Sequence, residues 1–454
     1  MARLKTYDGR FCEYEYESTF ISFLEKEGWH YLPGKSINRA SQREVLYLDD
    51  LEHFLSSTNP DLLAEEIRQI MDRVRLAGAE SDFATLHKLY GWMVNGIQFT
   101  PQKGLSRMVQ LIDFENPDAN VFRVVNQFTV EYMDHGMVEN RRPDILLFVN
   151  GMPLCIIELK NPADAHATIS DAWEQINVRY WRDIPHLLHY CPLACISDGV
   201  KTRLGTVRTL YEHFYAWRRV NEGDAVSTLP FEETKSMISG VYRPSRFLEI
   251  FRDYIYFQDS EYDSYEREIV CRYPQFFAAR LLKQSIIRSV IEKSGKGGTY
   301  FGATGCGKTY TMAFLARQLS LRCTNIPQIG SPTIILIVDR DELQKQGAKL
   351  FTKSKEFLSL GEVSIVRNRK QLREELGIRA SGGFYICTIQ KFCDREDDKI
   401  GLINNRRNII CFSDEAHRTQ LEHSKKIQFS KDADQNMNCL LYTSPSPRDA
   451  HESR

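Results

Sequence analysis

The sequence predicts an α/β protein built as two domains: a mixed α/β domain, then a parallel-sheet domain that carries a phosphate loop. Three observations carry that prediction. Strand-forming residues flank an Asn-Gly turn between Val121 and Leu159. A loop of the form GxxxxGK(S/T) starts at Gly302. After it, apolar strands alternate with helical stretches, the pattern of a parallel sheet covered by helices.

With 454 residues the chain exceeds one ordinary domain. Its net charge of −1 means that any nucleic-acid contact must come from local basic patches. None of the 11 cysteines forms a CxxC pair, and Cys155, Cys387 and Cys411 lie in apolar runs. That usage fits buried, reduced thiols. The N-terminus has no apolar signal segment, and no apolar run is long enough to span a membrane. The expected location is the cytoplasm.

Glu15 to Glu27 reads as an amphipathic helix with Phe20, Ile21 and Leu24 on one face. Leu62 to Leu76 is a second, with Ile67, Ile70, Met71 and Val74 at helical spacing. From Val121 the pattern turns to strands, including Phe128 to Val130. The runs Ile145 to Val149 and Leu154 to Leu159 flank Asn150-Gly151, two residues that tolerate the positive φ of a tight hairpin turn. Residues 165 to 260 read as largely helical and rich in aromatic and charged residues.

Pro143-Asp144 opens one strand of the hairpin, and Glu158-Leu159-Lys160 closes the other. A strand has a period of two, so Glu158 and Lys160 point to the same side, where Asp144 can meet them. Two carboxylates close together repel unless a cation joins them, which suits Mg²⁺. The Lys160 ammonium could orient a metal-bound water or stabilise a phosphate. Such an Asp and Glu-x-Lys set also occurs as a solvated pair at sheet ends. Here Glu158 ends the apolar run Cys155 to Ile157, so its desolvation needs a reason. His186, His189, Cys191 and Cys195 crowd together, but their spacing fits no common zinc pattern, and Cys195 lies in a run that reads as a buried strand.

In the second domain, Gly302-Ala-Thr304-Gly305-Cys-Gly307-Lys308-Thr309 completes the phosphate-loop pattern. Backbone N–H groups of such a loop curl around phosphates, Lys308 reaches the terminal ones, and the Thr309 hydroxyl binds Mg²⁺. A short strand, Thr299 to Phe301, precedes the loop. A helix follows with Met312, Leu315 and Leu319 on one face, so phosphates would sit at a helix N-terminus. Apolar runs Thr333 to Val338, Phe384 to Thr388 and Ile409 to Phe412 read as strands. The last leads into Asp414-Glu415-Ala416-His417. Asp414 is the Mg²⁺ candidate, and Glu415 is placed to orient or deprotonate a water.

Asp-Glu-Ala-His downstream of a phosphate loop resembles motif II of superfamily 2 helicases and translocases. Thr388 to Phe392 and Val338 to Leu343 resemble other segments of the first motor lobe. Arg272-Tyr273-Pro-Gln275-Phe276 resembles the glutamine element that reads adenine; it also reads as a helix start with an aromatic core. Pro-Asp and Glu-x-Lys resemble the PD-(D/E)xK nucleases. In that resemblance Glu17 matches an extra N-terminal carboxylate, and it reads equally as one of several helix-surface glutamates. Gln175 to Tyr180 resembles a Gln-x-x-x-Tyr element, but four residues, Ile176 to Arg179, separate the pair. An α-helix with that spacing turns Tyr180 off the face of Gln175, so Gln175 alone is carried over.

A nuclease pattern before a motor pattern resembles the restriction (R) subunit of type I restriction-modification enzymes, and Gly240 to Phe247 adds to the likeness. The resemblance implies a PD-(D/E)xK-like domain over 1–210, a helical bridge over 211–265 and a RecA-like motor lobe over 266–438. It implies ATP and Mg²⁺ as cofactors, with double-stranded DNA and modification and specificity subunits as partners. The activity implied is an ATP-dependent endonuclease that cuts unmodified foreign DNA. The rivals are a stand-alone helicase-nuclease of repair and an inactive DNA-binding remnant. About forty residues follow Asp414, and a second lobe needs roughly a hundred or more. The expectation is therefore an incomplete motor without turnover, and a Ser/Pro-rich, non-native or disordered tail over 439–454 that packs against nothing.

Overall fold

A computed structural model describes residues 13–77, 81–160, 168–226, 232–258, 266–303, 305–338, 350–351, 355–358, 363–392, 401–414 and 437–443. The chain divides into two compact units. Unit 1 is Met1–Ser260 with Ser264–Tyr273, and unit 2 is Glu261–Asp263 with Pro274–Arg454.

Unit 1 contains twelve strands among its described residues. These are β1 (His30–Pro33), β2 (Ile97–Phe99), β3 (Arg107–Val109), β4 (Phe122–Asn126), β5 (Val130–Asp134), β6 (Met137–Arg141), β7 (Ile145–Val149), β8 (Met152–Leu159), β9 (Leu193–Ser197), β10 (Thr202–Thr206), β11 (Ile255–Gln258) and β12 (Arg267–Val270). The main sheet has the order β1-β4-β7-β8-β9-β10, mixed parallel and antiparallel. β7 and β8 form its centre, and every residue of both is buried. Burying such Val, Leu, Ile and Phe side chains contributes roughly 1.5–3 kcal/mol each.

The Asn-Gly turn behaves as its residue types require. Asn150 and Gly151 have φ of 49° and 76°, and Val149 pairs directly with Met152. Asn150 is fully buried, yet its side chain is satisfied: Nδ2 donates to Leu111 O and Asn120 Oδ1, and Oδ1 accepts from Val121 N. A side chain at Gly151 would drive into the Tyr47 carbonyl.

The helix Glu13–Lys26 buries Phe20, Ile21 and Leu24 as its periodicity predicts. The second expected helix runs Ala64–Arg75. Phe128 and Thr129 are loop, and β5 starts at Val130. The stretch 165 to 260 differs from its helical expectation, because it supplies β9 and β10 to the main sheet and β11 to a separate two-stranded sheet with β12. The proposed bridge over 211–265 is likewise mostly internal to unit 1. Trp29 donates to the Tyr242 carbonyl at 2.6 Å and sets its ring edge-on against Phe122 and Phe247. Buried aromatics, read from sequence as bridge composition, are core here.

Unit 2 is a six-stranded, all-parallel sheet among its described residues. Its strands are β13 (Lys296–Phe301), β14 (Thr333–Val338), β15 (Val363–Ile365), β16 (Phe384–Thr388), β17 (Ile409–Ser413) and β18 (Met437–Thr443), in the order β13-β18-β17-β14-β16-β15. The helices Tyr273–Glu292 and Lys308–Leu321 flank β13 in sequence. β18 corrects the expectation that everything from Cys439 packs against nothing: Met437–Thr443 pairs with β17 on one side and β13 on the other. The run Cys439-Leu-Leu-Tyr-Thr443 is apolar and β-prone, and grouping it with the Ser/Pro-rich residues behind it hid that. No described helix is long and apolar enough to cross a membrane.

Candidate functional site

The β7–β8 hairpin brings the first constellation together. Asp144 sits immediately before β7, and its carboxylate accepts the backbone N–H of Leu159 at 2.8 Å. Glu158, the penultimate residue of β8, is fully buried. Lys160 follows the strand with its Nζ 3.9 Å from Glu158 Oε2. Its backbone N–H donates to Ser197 O, which anchors it to β9.

Gln175 and Tyr180 complete a ring of contacts. Lys160 Nζ donates to Gln175 Oε1, Gln175 Nε2 donates to the Tyr180 hydroxyl, and that hydroxyl donates to Glu158 Oε1, each at 2.7 Å. The expectation that Tyr180 faces away is corrected here. Gln175–Tyr180 is a π-helical turn, not an α-helical one. A π-helix repeats at i→i+5, so residues with four others between them share a face. The extra residue is absorbed by the backbone.

Burial pushes the Glu158 carboxyl well above the usual carboxylate range, the Asp144 charge adds to that, and Lys160 and the Tyr180 hydroxyl oppose it. Burial and then the Glu158 charge push the Tyr180 phenol up likewise. Glu158 Oε2 has no hydrogen-bond partner despite being buried. A buried carboxylate oxygen that accepts no hydrogen bond, beside a second carboxylate, offers two oxygen donors of the kind a hard divalent cation takes, although among the described residues no third His, Cys, Asp or Glu joins them in a metal-binding group.

Glu17 is not a surface glutamate. It is 5% exposed, and its two oxygens accept from Asn126 Nδ2 at 2.5 Å and Gln127 Nε2 at 2.7 Å. Gln127 also donates its backbone N–H to the Asp144 carbonyl at 3.0 Å. Sequence reasoning missed Asn126 and Gln127; their only signal was amide residues at the end of a strand. Of the crowded His/Cys residues, two have other partners: His189 Nε2 lies 2.8 Å from Asp82 Oδ1, and Cys191 Sγ donates to Pro153 O.

The second constellation lies at the C-terminal edge of the parallel sheet in unit 2. β13 ends at Phe301, and the loop from Gly302 leads to Gly307, whose φ of 83° starts the helix Lys308–Leu321. Gly305 has φ of 79°. A Cβ on Gly302 would come within 2.7 Å of Cys306 Sγ, and one on Gly307 within 2.3 Å of Gln275 Nε2. Lys308 Nζ donates to Gly302 O at 3.3 Å, folded over the loop. Gln275 is buried and donates to Gly307 O at 3.1 Å, so it begins a helix and also touches the loop.

Thr309 is the second residue of the helix. Asp414 follows β17 and donates its backbone N–H to Ile337 O. Only β18 separates β13 from β17. Two strand spacings put the backbones at Gly302 and Asp414 roughly 10 Å apart. Thr304, Glu415 and the segment Asp339 to Leu343 lie outside the described residues. Within the segment Thr388 to Phe392, Ile389–Lys391 is a 3₁₀ turn directly after β16.

Residues 11–213 match the family described as type I restriction enzyme R protein N terminus, and residues 274–443 match SWI2/SNF2 ATPase. The type I restriction enzyme HindI endonuclease subunit of Haemophilus influenzae is 30% identical over 92% of this chain and 40% of its own length. A candidate type I restriction endonuclease subunit of Methanocaldococcus jannaschii, MjaIXP, is 27% identical over 90% of this chain and 40% of its own. A fragment of a candidate HsdR subunit from Vibrio vulnificus YJ016 aligns over 73% of this chain and 52% of its own at 15% identity, with a TM-score of 0.22, too low to inform the fold. The chain thus spans about 40% of the length of the curated relatives it matches. With the R-protein N-terminal region and the ATPase region in this order, the chain belongs to the R subunits of type I restriction enzymes.

Proposed function

We propose that unit 1 is a PD-(D/E)xK-type endonuclease domain and unit 2 the first RecA-like lobe of an ATP-driven DNA translocase. Together they serve a type I restriction enzyme that cuts unmodified foreign DNA. The observation that carries this reading is the hydrogen-bonded ring of Glu158, Lys160, Gln175 and Tyr180 beside Asp144. The relatives' descriptions as restriction endonuclease subunits favour it over a stand-alone repair enzyme.

Asp144 and Glu158 would hold Mg²⁺, and the unpartnered Glu158 Oε2 is the oxygen left for it. Bound there, the ion supplies an activated water and neutralises charge on the scissile phosphate. Tyr180 fixes the Glu158 carboxylate, and Gln175 holds Lys160 with its ammonium toward the same centre. Lys160 then stabilises the phosphate or orients the attacking water.

In unit 2 the backbone of Gly302, Thr304, Gly305 and Gly307 cradles the phosphates of ATP, and Lys308 neutralises the terminal ones. Thr309 and Asp414 would hold the nucleotide's Mg²⁺, and Glu415 orients the hydrolytic water. Gln275 senses the occupied loop through Gly307, which leaves its adenine contact to be made on binding. The partners are double-stranded DNA and modification and specificity subunits, in the cytoplasm.

The test is cleavage of unmethylated plasmid by the assembled enzyme with ATP and Mg²⁺. Wild type should linearise it, and Asp144→Ala should not. Wild-type cutting by Asp144→Ala would remove the assignment.

A further inference from the structure

Asp183 joins the two segments that carry the site of unit 1. It ends the short helix Trp181–Asp183, directly behind the π turn of Gln175 and Tyr180. It is 7% exposed, and two guanidinium groups share its carboxylate. Arg141 Nε donates to Oδ2 at 2.7 Å with Nη2 equally close, and Arg182 Nε donates to Oδ1 at 2.6 Å. Arg182, and after it Arg141, holds the Asp183 carboxyl below the usual carboxylate range despite burial. Arg141 is the last residue of β6, and only Arg142 and Pro143 separate it from Asp144.

Sheet pairing stops on both sides of this lead into Asp144. β5 and β6 form a two-stranded sheet of their own, whose register ends at Arg141, and the pairing of β7 with β4 begins at Ile145. The bonds to Asp183 tie the lead to the helical segment instead. That segment is also held to the loop after β10: Trp173 Nε1 donates to Thr209 O, and Asn177 Nδ2 and Trp181 Nε1 donate to Val207 O. A π turn holds one more residue than the α-helical turn it replaces. Slipping back to the α form would rotate all that follows by about 100°. Fixing Asp183 directly behind the turn opposes that slip and keeps Gln175 and Tyr180 on one face.

The chemistry suits an anchor. An exposed ion pair fixes little, but here the carboxylate is buried, and an arginine fork sets direction as well as distance. We propose that Asp183 is a positioning residue for DNA cleavage: through Arg141 it locks the turn that carries Gln175 and Tyr180 to the chain entering Asp144, and so sets Glu158 and Lys160 against Asp144. This rests on the endonuclease reading of unit 1.

The test is plasmid cleavage by the assembled enzyme at saturating ATP, followed as the rate constant for nicked plasmid becoming linear and, separately, as the fraction converted. Asp183→Asn and Arg141→Met should each slow that step roughly 10–100-fold at an unchanged final fraction, with ATP hydrolysis at the wild-type rate. The double variant should be no slower than either single one, because both remove the same tie. Arg141→Lys keeps the charge and loses the fork, so it should also slow the step and serves if Asp183→Asn does not fold. Arg182→Met, which removes the more exposed partner, should cut at the wild-type rate. A wild-type rate constant in Asp183→Asn and Arg141→Lys overturns the proposal. So does a reduced fraction at an unchanged rate constant, which is loss of folded enzyme, or slowing in the double variant that multiplies the two single effects. Slowing by Arg182→Met equal to that of Arg141→Met overturns the route through Arg141. Glu158→Ala tests the underlying reading: if it still cuts, the endonuclease centre is misassigned, and if it is inactive while the Asp183 and Arg141 variants cut normally, only the positioning role fails.

Discussion

Gln175 Nε2 donates to the Tyr180 hydroxyl at 2.7 Å across a π-helical turn. In an α-helix the same five-residue step would rotate the two side chains apart by more than a quarter of a turn. The π turn brings them onto one face, and Tyr180 then reaches Glu158 while Gln175 reaches Lys160. An insertion in the sequence is thus cancelled by an insertion in the helical repeat.

Tyr180→Phe removes the donor to a buried carboxylate. An unmade hydrogen bond of that kind costs about 1–3 kcal/mol. The variant should melt lower and cleave plasmid more slowly in the assembled enzyme, with ATP hydrolysis unchanged. Deleting Val178, which is half exposed, should shorten the turn to an α-helix with three intervening residues and keep cleavage. Loss of cleavage on that deletion, with a normal melting curve, would show that the π geometry itself is required.

Asp144→Ala, Glu158→Ala and Lys160→Ala should each abolish cleavage in the assembled enzyme and leave ATP hydrolysis intact. The two constellations belong to different units and would hold separate ions. Parallel assays of plasmid cutting and phosphate release check this, and a joint loss of both activities would contradict the division of labour.

How much of this was legible beforehand depends on where the information lies. The hairpin was readable because Asn150 and Gly151 satisfy a local φ requirement and flank apolar runs. The phosphate loop was readable because Gly305 and Gly307 serve a local backbone shape. Tyr180 was not, since whether a helix closes at i+4 or i+5 depends on what its side chains meet. Glu17 was ambiguous for the same reason: Asn126 ends β4 and Gln127 follows it, far from the helix in sequence, and no helical periodicity reports them. β18 was missed because its apolar run is brief and its neighbours in the sheet, β13 and β17, lie far from each other in sequence.

Lys308→Ala should weaken ATP binding sharply. Lys308 is the one loop side chain able to neutralise the terminal phosphates, and it already lies folded over Gly302. A titration of the chain with a fluorescent ATP analogue in Mg²⁺ reads the effect. Equal affinity for wild type and variant would contradict the phosphate-loop assignment.

Glu268 gives a prediction about stability. It lies on β12, is 2% exposed, and neither carboxyl oxygen has a hydrogen-bond partner. Burial holds its carboxyl well above the usual carboxylate range; the Thr206 hydroxyl and Arg208 pull the other way too weakly to offset it. That hydroxyl donates instead to the Glu268 carbonyl at 3.2 Å. The folded protein therefore binds a proton here that the unfolded chain, with a carboxylate pKa of about 4.3, has already lost. Stability from this group is fully present below that value and is lost as pH rises toward the folded pKa. Glu268→Gln cannot ionise, so its melting temperature minus that of wild type should grow more positive as the pH rises from 5 toward the folded pKa of Glu268. Other titrating groups are common to both proteins and cancel in the difference. A difference that stays constant across that range would mean that Glu268 is already ionised and paired in the folded protein.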